Sequence, residues 1–365
     1  MAKGGEISDD DLVALGLCDA DKLHTSRPAF VRMLLDRGAT LDEIRAASAG
    51  GQHYLSALAS EFVFFPPGEL TVDDVARAAG VTVDEVVEIF RSLGLTDPRL
   101  AGPRLTERDV ELVTFIIGAR ALVGDDNVLD IARAFGTAIA QMSETSVTAL
   151  RRGFEQPQRG NDGAELAIQE GYSAFPSLVV PDLMRSIETV FLRGVVTSLY
   201  SEIVVNDGTA VQSDRTLVFV DLVDYTAMSR RTPSPELSAL VAAFERAAVN
   251  EAVRFSGRVV KLMGDGAMLV FNNRTEGIAA ACALVRDYAE LPPARAGVAT
   301  GRVLTRTGDY FGPVVNLASR LSGAVEAGEV AIDDSRWVEG GVHMEPISLK
   351  GIDEPVTPFR LTFSA

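Results

Sequence analysis

Between Asp9 and about Ile203 the apolar side chains recur every three or four positions, as in Val128, Ile131, Phe135, Ile139 and Met142. That spacing lines one face of an α-helix, so this half reads as nearly all helix. Thr40 with Glu43, Thr82 with Glu85, and Thr106 with Asp109 set a hydroxyl three residues ahead of a carboxylate. This is the spacing of a capping box, and each pair predicts a helix start. Gly38, Gly80 and Gly94 supply the matching stops. A further stripe, Leu183, Met184, Ile187, Phe191, Val195 and Leu199, predicts a helix leading directly into the second half.

After Arg215 the period changes to short apolar runs alternating with helices. Strands are predicted over Thr216–Leu222, Gly257–Leu262, Ala267–Phe271, Ala296–Leu304, Val330–Ile332 and Phe359–Phe363. Helices are predicted over Leu237–Val253, Glu276–Tyr288 and Pro313–Val325. The order strand, helix, hairpin, helix, strand is that of a ferredoxin-like α+β domain. Two turn-rich stretches punctuate the chain, Gln156–Gly163 and Asn206–Asp214. The second is taken as a linker between a helical domain, residues 1–205, and an α+β domain, residues 215–365.

A chain of 365 residues exceeds what one core usually serves, which agrees with two domains. The 51 acidic against 34 basic side chains give a net charge of −17, and no basic patch offsets it. Nucleic acid and anionic membranes are therefore poor partners. Cys18 and Cys282 have no Cys or His neighbour at metal spacing, as in a reducing compartment. The start, Met1–Asp10, is polar and acidic, unlike a signal peptide. The strongest apolar stretch, Leu112–Val123, is interrupted by Arg120 and is shorter than the roughly 20 residues of a spanning helix. No membrane span and a cytoplasmic location are expected.

Asp221 ends the apolar run Leu217–Val220, so its carboxylate should emerge at the end of a buried strand. Alone, such an Asp is more often a cap or turn residue than a ligand. Asp265 lies in Met263-Gly264-Asp265-Gly266, whose glycines make a tight hairpin with room around the carboxylate. Two carboxylates from a strand end and an adjacent hairpin can hold hard cations that bridge phosphate oxygens. Asn316 and Arg320 are four apart on a predicted helix and share its face. An amide and a guanidinium there can orient a sugar and neutralise a phosphoryl transition state, although a solvated polar face has the same spacing.

The blocks Val218-Phe219-Val220-Asp221-Leu222, Lys261-Leu262-Met263-Gly264-Asp265, Asp309-Tyr310-Phe311-Gly312 and Val315-Asn316-Leu317-Ala318-Ser319-Arg320 resemble the signature segments of class III adenylate cyclases, in that family's order, over roughly Arg215 to Ser364. The resemblance implies a ferredoxin-like class III cyclase catalytic domain preceded by an all-α regulatory domain. It implies that ATP is converted to 3′,5′-cyclic AMP and pyrophosphate.

Under it, Asp221 and Asp265 hold two Mg²⁺ or Mn²⁺ ions per site, and Leu222 beside Asp221 is counted with them. Asn316 positions the ribose, and Arg320 stabilises charge on the transferring phosphoryl group. Lys261 as donor and Asp309 as acceptor match N1 and the 6-amino group of adenine, and guanine reverses both polarities. The turn Val223–Thr226 resembles a phosphate-holding segment, with Thr226 as its substrate contact. Lys350 resembles a basic residue reaching the triphosphate, and solvation explains an exposed lysine equally.

In that family the site forms between two catalytic domains, so one full set of residues implies a homodimer with two equivalent sites. The helical half is then expected to regulate how those domains meet, through the helix Leu183–Ile203. Leu70–Thr82 also resembles a helix-turn-helix, the alternative being a DNA-binding regulator with a nucleotide-sensing cyclase-like domain. Its second helix carries Asp84, Glu85 and Glu88 against one Arg91, the wrong sign for phosphate.

Overall fold

The computed structural model describes residues 7–23, 25–50, 52–100, 104–158, 164–205, 212–334, 341–348 and 355–363. The chain divides into two units, Met1–Leu192 and Arg193–Ala365. The division falls inside a helix rather than in the expected linker, of which residues 206–211 lie outside the described residues. Gln212–Asp214 already belong to the first strand.

In the first unit, α1 (Asp9–Ala14), α2 (Arg27–Asp36), α3 (Leu41–Gly50) and α4 (Gln52–Phe64) surround a core of Leu12, Phe30, Leu34, Ile44, Leu55 and Phe62. A second core, with Val75, Val86, Ile89, Val113 and Val128, lies among α5 (Val72–Ala79), α6 (Val83–Ser92), α7 (Glu107–Val123) and α8 (Asp125–Leu150). A π-helical turn, Arg151–Glu155, joins α8 to α9 (Gln156–Gln158), so the start of the expected turn-rich stretch is helical. Its remainder, residues 159–163, lies outside the described residues. Then come α10 (Ala164–Leu178) and α11 (Val180–Val205).

The predicted starts form as capping boxes. The hydroxyls of Thr40, Thr82 and Thr106 lie 2.8, 2.9 and 2.8 Å from the carboxylates of Glu43, Glu85 and Asp109. Each such cap is worth about 1 kcal/mol. The stop Gly80 has φ +71°, the left-handed region that favours glycine. The helical stripes are only partly covered: Ile131, Phe135, Ile139 and Met142 on α8 are exposed, as are Met184, Phe191, Val195 and Leu199 on α11. Within this unit the rings of Phe135 and Phe191 meet at 5.7 Å.

The second unit is built on β1 (Gln212–Leu222), β2 (Arg258–Leu262), β3 (Gly266–Phe271), β4 (Ala294–Arg306), β5 (Asp309–Phe311), β6 (Glu329–Ile332), β7 (Val342–His343) and β8 (Phe359–Thr362). The sheet order is β2-β3-β1-β4-β6-β8-β7, with β5 pairing β4, and only β4 and β6 run parallel. Its helices are α12 (Tyr225–Ser229), α13 (Ser234–Arg254), α14 (Arg274–Arg286) and α15 (Pro313–Ser322).

Alternation along the strands sorts the side chains to two faces. Val218, Val220, Leu222 and Leu269 pack with Phe244 of α13 and Ile278 of α14. Leu217, Met268, Val270 and Val303 pack with Val314, Ala318 and Leu321 of α15. The helix expected to reach Val325 ends at Ser322, capped by Gly323. The fold is thus the expected α+β arrangement, with α12, β5 and β7 added.

Candidate active site

The antiparallel pairing of β1 with β3 sets Asp221 opposite Gly266. The amide of Leu222 donates to the carbonyl of Asp265 at 2.9 Å, so the two acidic residues are neighbours at one end of the sheet. The β2–β3 hairpin that carries Asp265 is closed by the Met263 amide on the Gly266 carbonyl at 2.7 Å. Gly264 sits at φ +76°, which glycine takes without strain. A Cβ placed on Gly266 would lie 3.7 Å from Asp221 Oδ1, so that oxygen stands over the hairpin. The other oxygen, Oδ2, accepts from Arg295 Nη2 at 3.0 Å and Nε at 3.3 Å.

Among the described residues no three His, Cys, Asp or Glu side chains gather at one point. The carboxylates of Asp221 and Asp265 are hard oxygen donors on neighbouring segments, and they would supply part of the ligand set of a divalent cation. That suits Mg²⁺ or Mn²⁺, which keep positions for water and phosphate oxygens.

Lys261 and Asp309 meet across a separation of 48 residues, Nζ to Oδ2 at 2.7 Å. Asp309 Oδ1 also accepts the Tyr310 amide at 2.8 Å, which fixes the carboxylate plane. Lysine offers three donors and a carboxylate four lone-pair sites, so both retain capacity toward a purine edge while paired. The chain turns from β5 into α15 at Gly312, φ +140°, with Pro313 at the first helical position. Asn316 and Arg320 lie exposed on α15, and neither side chain bonds another described residue. Both side chains are therefore open to a ligand or a second surface as far as the described residues go.

Thr226 is exposed in the first turn of α12, after Asp224 at φ +62°. The Val223 amide already donates to Pro293 O at 2.8 Å, so within Val223–Thr226 that donor is occupied. Lys350 lies outside the described residues. Sequence reasoning missed Arg295, although a lone arginine within the apolar strand Ala294–Val298 was the available signal. It also missed Arg258, whose guanidinium reaches Gly308 O and the Tyr310 hydroxyl, both at 3.2 Å. In the first unit, Arg91 of α6 is tied to Asp97 at 3.1 Å beside Asp84, Glu85 and Glu88. That face does not suit a nucleic-acid backbone.

No family model matches the chain. An uncharacterized protein of Mycobacterium tuberculosis is 31% identical over 363 residues, spanning 96% of this chain and 93% of its own. An adenylate cyclase of Streptomyces coelicolor is 31% identical over 265 residues, spanning 71% of this chain and 68% of its own. A pH-sensitive adenylate cyclase of Mycobacterium tuberculosis is 27% identical, over 93% of this chain and 88% of its own. Among solved structures, an adenylyl cyclase of P. aeruginosa covers 42% of this chain and 96% of its own, at 23% identity and a TM-score of 0.38. An α+β domain with paired carboxylates at one sheet end, on a chain with these relatives, defines the class. The chain belongs to the class III adenylate cyclase family, and it is an enzyme of that kind. Among the described residues no helix is long and apolar enough to cross a membrane.

Proposed function

We propose that this chain converts ATP to 3′,5′-cyclic AMP and pyrophosphate at a site shared by two copies of its second unit. The observation that carries the reading is the juxtaposition of Asp221 and Asp265 at the end of paired strands β1 and β3. Divalent cations held there would activate the ribose 3′-hydroxyl and neutralise the triphosphate. Arg295 keeps Asp221 oriented and balances its charge while no cation is bound. Lys261 and Asp309 read the adenine edge, and a guanine would leave two partly buried groups unpaired, at about 1 to 3 kcal/mol each. Asn316 orients the ribose. Arg320 meets charge that grows on the phosphoryl group, so it acts on turnover more than on ATP binding. First-turn amides of α12 around Thr226, and Lys350, complete the phosphate contacts.

Support for a homodimer comes from the site's surroundings. Leu262, Met263 and Phe311 are exposed within two residues of Lys261, Asp265 and Asp309, a rim that a second protein surface would cover. The test is complementation. Asp221→Ala and Arg320→Ala chains, each inactive alone, should regain about a quarter to a half of wild-type activity when mixed as dimers, because one of two sites is then intact. A verified mixed dimer that releases no pyrophosphate from ATP refutes the shared site. Chelation of divalent cations should abolish turnover.

The first unit is proposed to regulate through α11, which ends only six residues before β1. The pH sensitivity named for one relative makes proton concentration the first stimulus to test. Equal activity and equal pH response of the full chain and of residues 212–365 would remove the regulatory reading.

A further inference from the structure

We infer that Arg258 is a positioning residue for base selection: with Tyr310 as its platform, it docks the β4–β5 hairpin on edge strand β2 and so sets the spacing of Lys261 and Asp309. The inference deepens the proposed reading of those two residues and rests on it. Nothing in the geometry requires Arg258 itself to touch substrate.

The argument starts from the alternation of a strand. Arg258 and Lys261 are three residues apart and would point to opposite faces of a regular strand. The register against β3 is irregular between Val259 and Lys261. Arg258 pairs with Val270, Val259 with Leu269, and Lys261 already with Met268, so two residues of β2 oppose one step of β3. This β-bulge resets the alternation. Val270 and Met268 belong to one face, the face that also buries Tyr310, and the bulge therefore sends Arg258 and Lys261 to that same side.

The hairpin they meet is held at three points. Arg258 Nη2 donates to Gly308 O and to the Tyr310 hydroxyl, both at 3.2 Å, and Lys261 Nζ reaches Asp309 Oδ2 at 2.7 Å. The guanidinium also lies over the Tyr310 ring, 5.3 Å from its centroid. Tyr310 is buried and so provides a fixed platform. Beyond its own β4–β5 pairing the hairpin gains from an external tie, because its two-residue turn sets Thr307 at φ +50° and Gly308 at φ +79°. A β-branched residue pays strain in that region and does not hold the turn alone. Asp309 follows directly. With Arg258 removed, Lys261–Asp309 becomes the one remaining polar tie among these three, and those groups are the ones whose spacing must hold to match a purine edge.

The experiment measures base preference in the full-length protein. It is read as kcat/KM for ATP against GTP or, where GTP turns over too slowly, as the inhibition constant of GTP over the KM of ATP. Arg258→Ala should lower the preference about tenfold, the effect of losing charge-assisted bonds that hold a selective pair. Arg258→Lys should recover part of it. In a Lys261→Ala background, Arg258→Ala should add no further loss, since the pair it positions is gone.

A folded Arg258→Ala protein with wild-type preference, while Lys261→Ala has lost it, overturns the positioning role alone. So does full additivity of the two substitutions. Unchanged preference in Lys261→Ala overturns the base-reading assignment, and this inference with it. Should Arg258→Ala fail to fold, Tyr310→Phe removes only the hydroxyl acceptor and should shift preference the same way by about threefold. No shift there overturns the inference.

Discussion

At Gly297 on β4 the main chain of α15, the helix bearing Asn316 and Arg320, lies close against the sheet. A Cβ placed on Gly297 would stand 2.2 Å from Ala318 O, 2.3 Å from Ser322 N and 2.9 Å from Leu321 C. All three atoms are main chain, so no side chain can rotate away. Ordinary contact begins near 3.4 Å, and Gly297→Ala must therefore push α15 off the sheet by about 1.2 Å. Overpacking of this kind costs about 1 to 3 kcal/mol. For a unit of this size, where each kcal/mol shifts Tm by about 2 to 4 °C, that is a fall of roughly 2 to 12 °C. The functional cost is larger, because a misplacement of about 1 Å in catalytic groups can lower turnover about a hundredfold.

Gly301 provides the control on the same strand and face. Its Cβ would meet Val314 Cγ2 at 3.6 Å, an ordinary contact. Gly301→Ala should be neutral, or stabilising by about 0.4 to 1 kcal/mol through the unfolded chain. The assay is cyclic AMP formation at saturating ATP alongside thermal unfolding. A Gly297→Ala protein with wild-type kcat and Tm, or equal damage from Gly301→Ala, refutes the packing argument.

Two further outcomes follow from charges outside the site. The Thr71 hydroxyl and amide, with Arg77, hold the Asp74 carboxyl down at about 2 against an ordinary 3.8. A carboxylate depressed in the folded state stabilises above its ordinary value and loses that contribution as pH falls through the lowered one, so α5 should fray between about pH 4 and 2. Amide exchange in α5 should show this in the wild type and not in Asp74→Asn, and parallel acid profiles would refute it. Arg274 is nearly buried, donates to Asp333 and to Thr300 Oγ1 at 2.8 Å, and pairs with Asp334 at 3.4 Å. Arg274→Met strands the buried Asp333, so it should cost about 3 to 5 kcal/mol, and Asp333→Asn should restore part of that. A denaturant midpoint unchanged by Arg274→Met would count against this.

The site was legible in the sequence where its chemistry sits at the ends of strong elements. Asp221 closes an unbroken apolar run and Asp265 sits between two glycines, so a strand end and a hairpin could be assigned before their pairing was known. What stayed hidden depends on a partner strand. The bulge in β2 exists only relative to β3, and nothing in Arg-Val-Val-Lys announces it. β5 is three residues long, too short to show a period, yet its pairing with β4 brings Asp309 to Lys261. The helical half shows the complementary limit. Its capping boxes are local and form as read, whereas the stripe Ile131, Phe135, Ile139, Met142 marks a helix face without saying what covers it.

Arg320 and Asn316 show why these residues, so placed, call for a second surface. Both are exposed, and neither side chain has a partner among the described residues. A guanidinium about 4 Å from a developing phosphoryl charge gains about 1 kcal/mol in bulk water, and about 4 kcal/mol at the effective dielectric of a partly enclosed protein site. The first value is a factor of about five in rate and the second nearly a thousandfold. A lone exposed Arg320 would therefore contribute almost nothing that distinguishes an enzyme from solution. Water must be displaced from around it. In the proposed site, exposed Leu262, Met263 and Phe311, close in sequence to Lys261, Asp265 and Asp309, would provide one half of an apolar seal. In the proposed homodimer an identical copy would supply the other half while bringing its own Arg320 and Asn316 toward Asp221 and Asp265, so that one contact would dry the site and complete it.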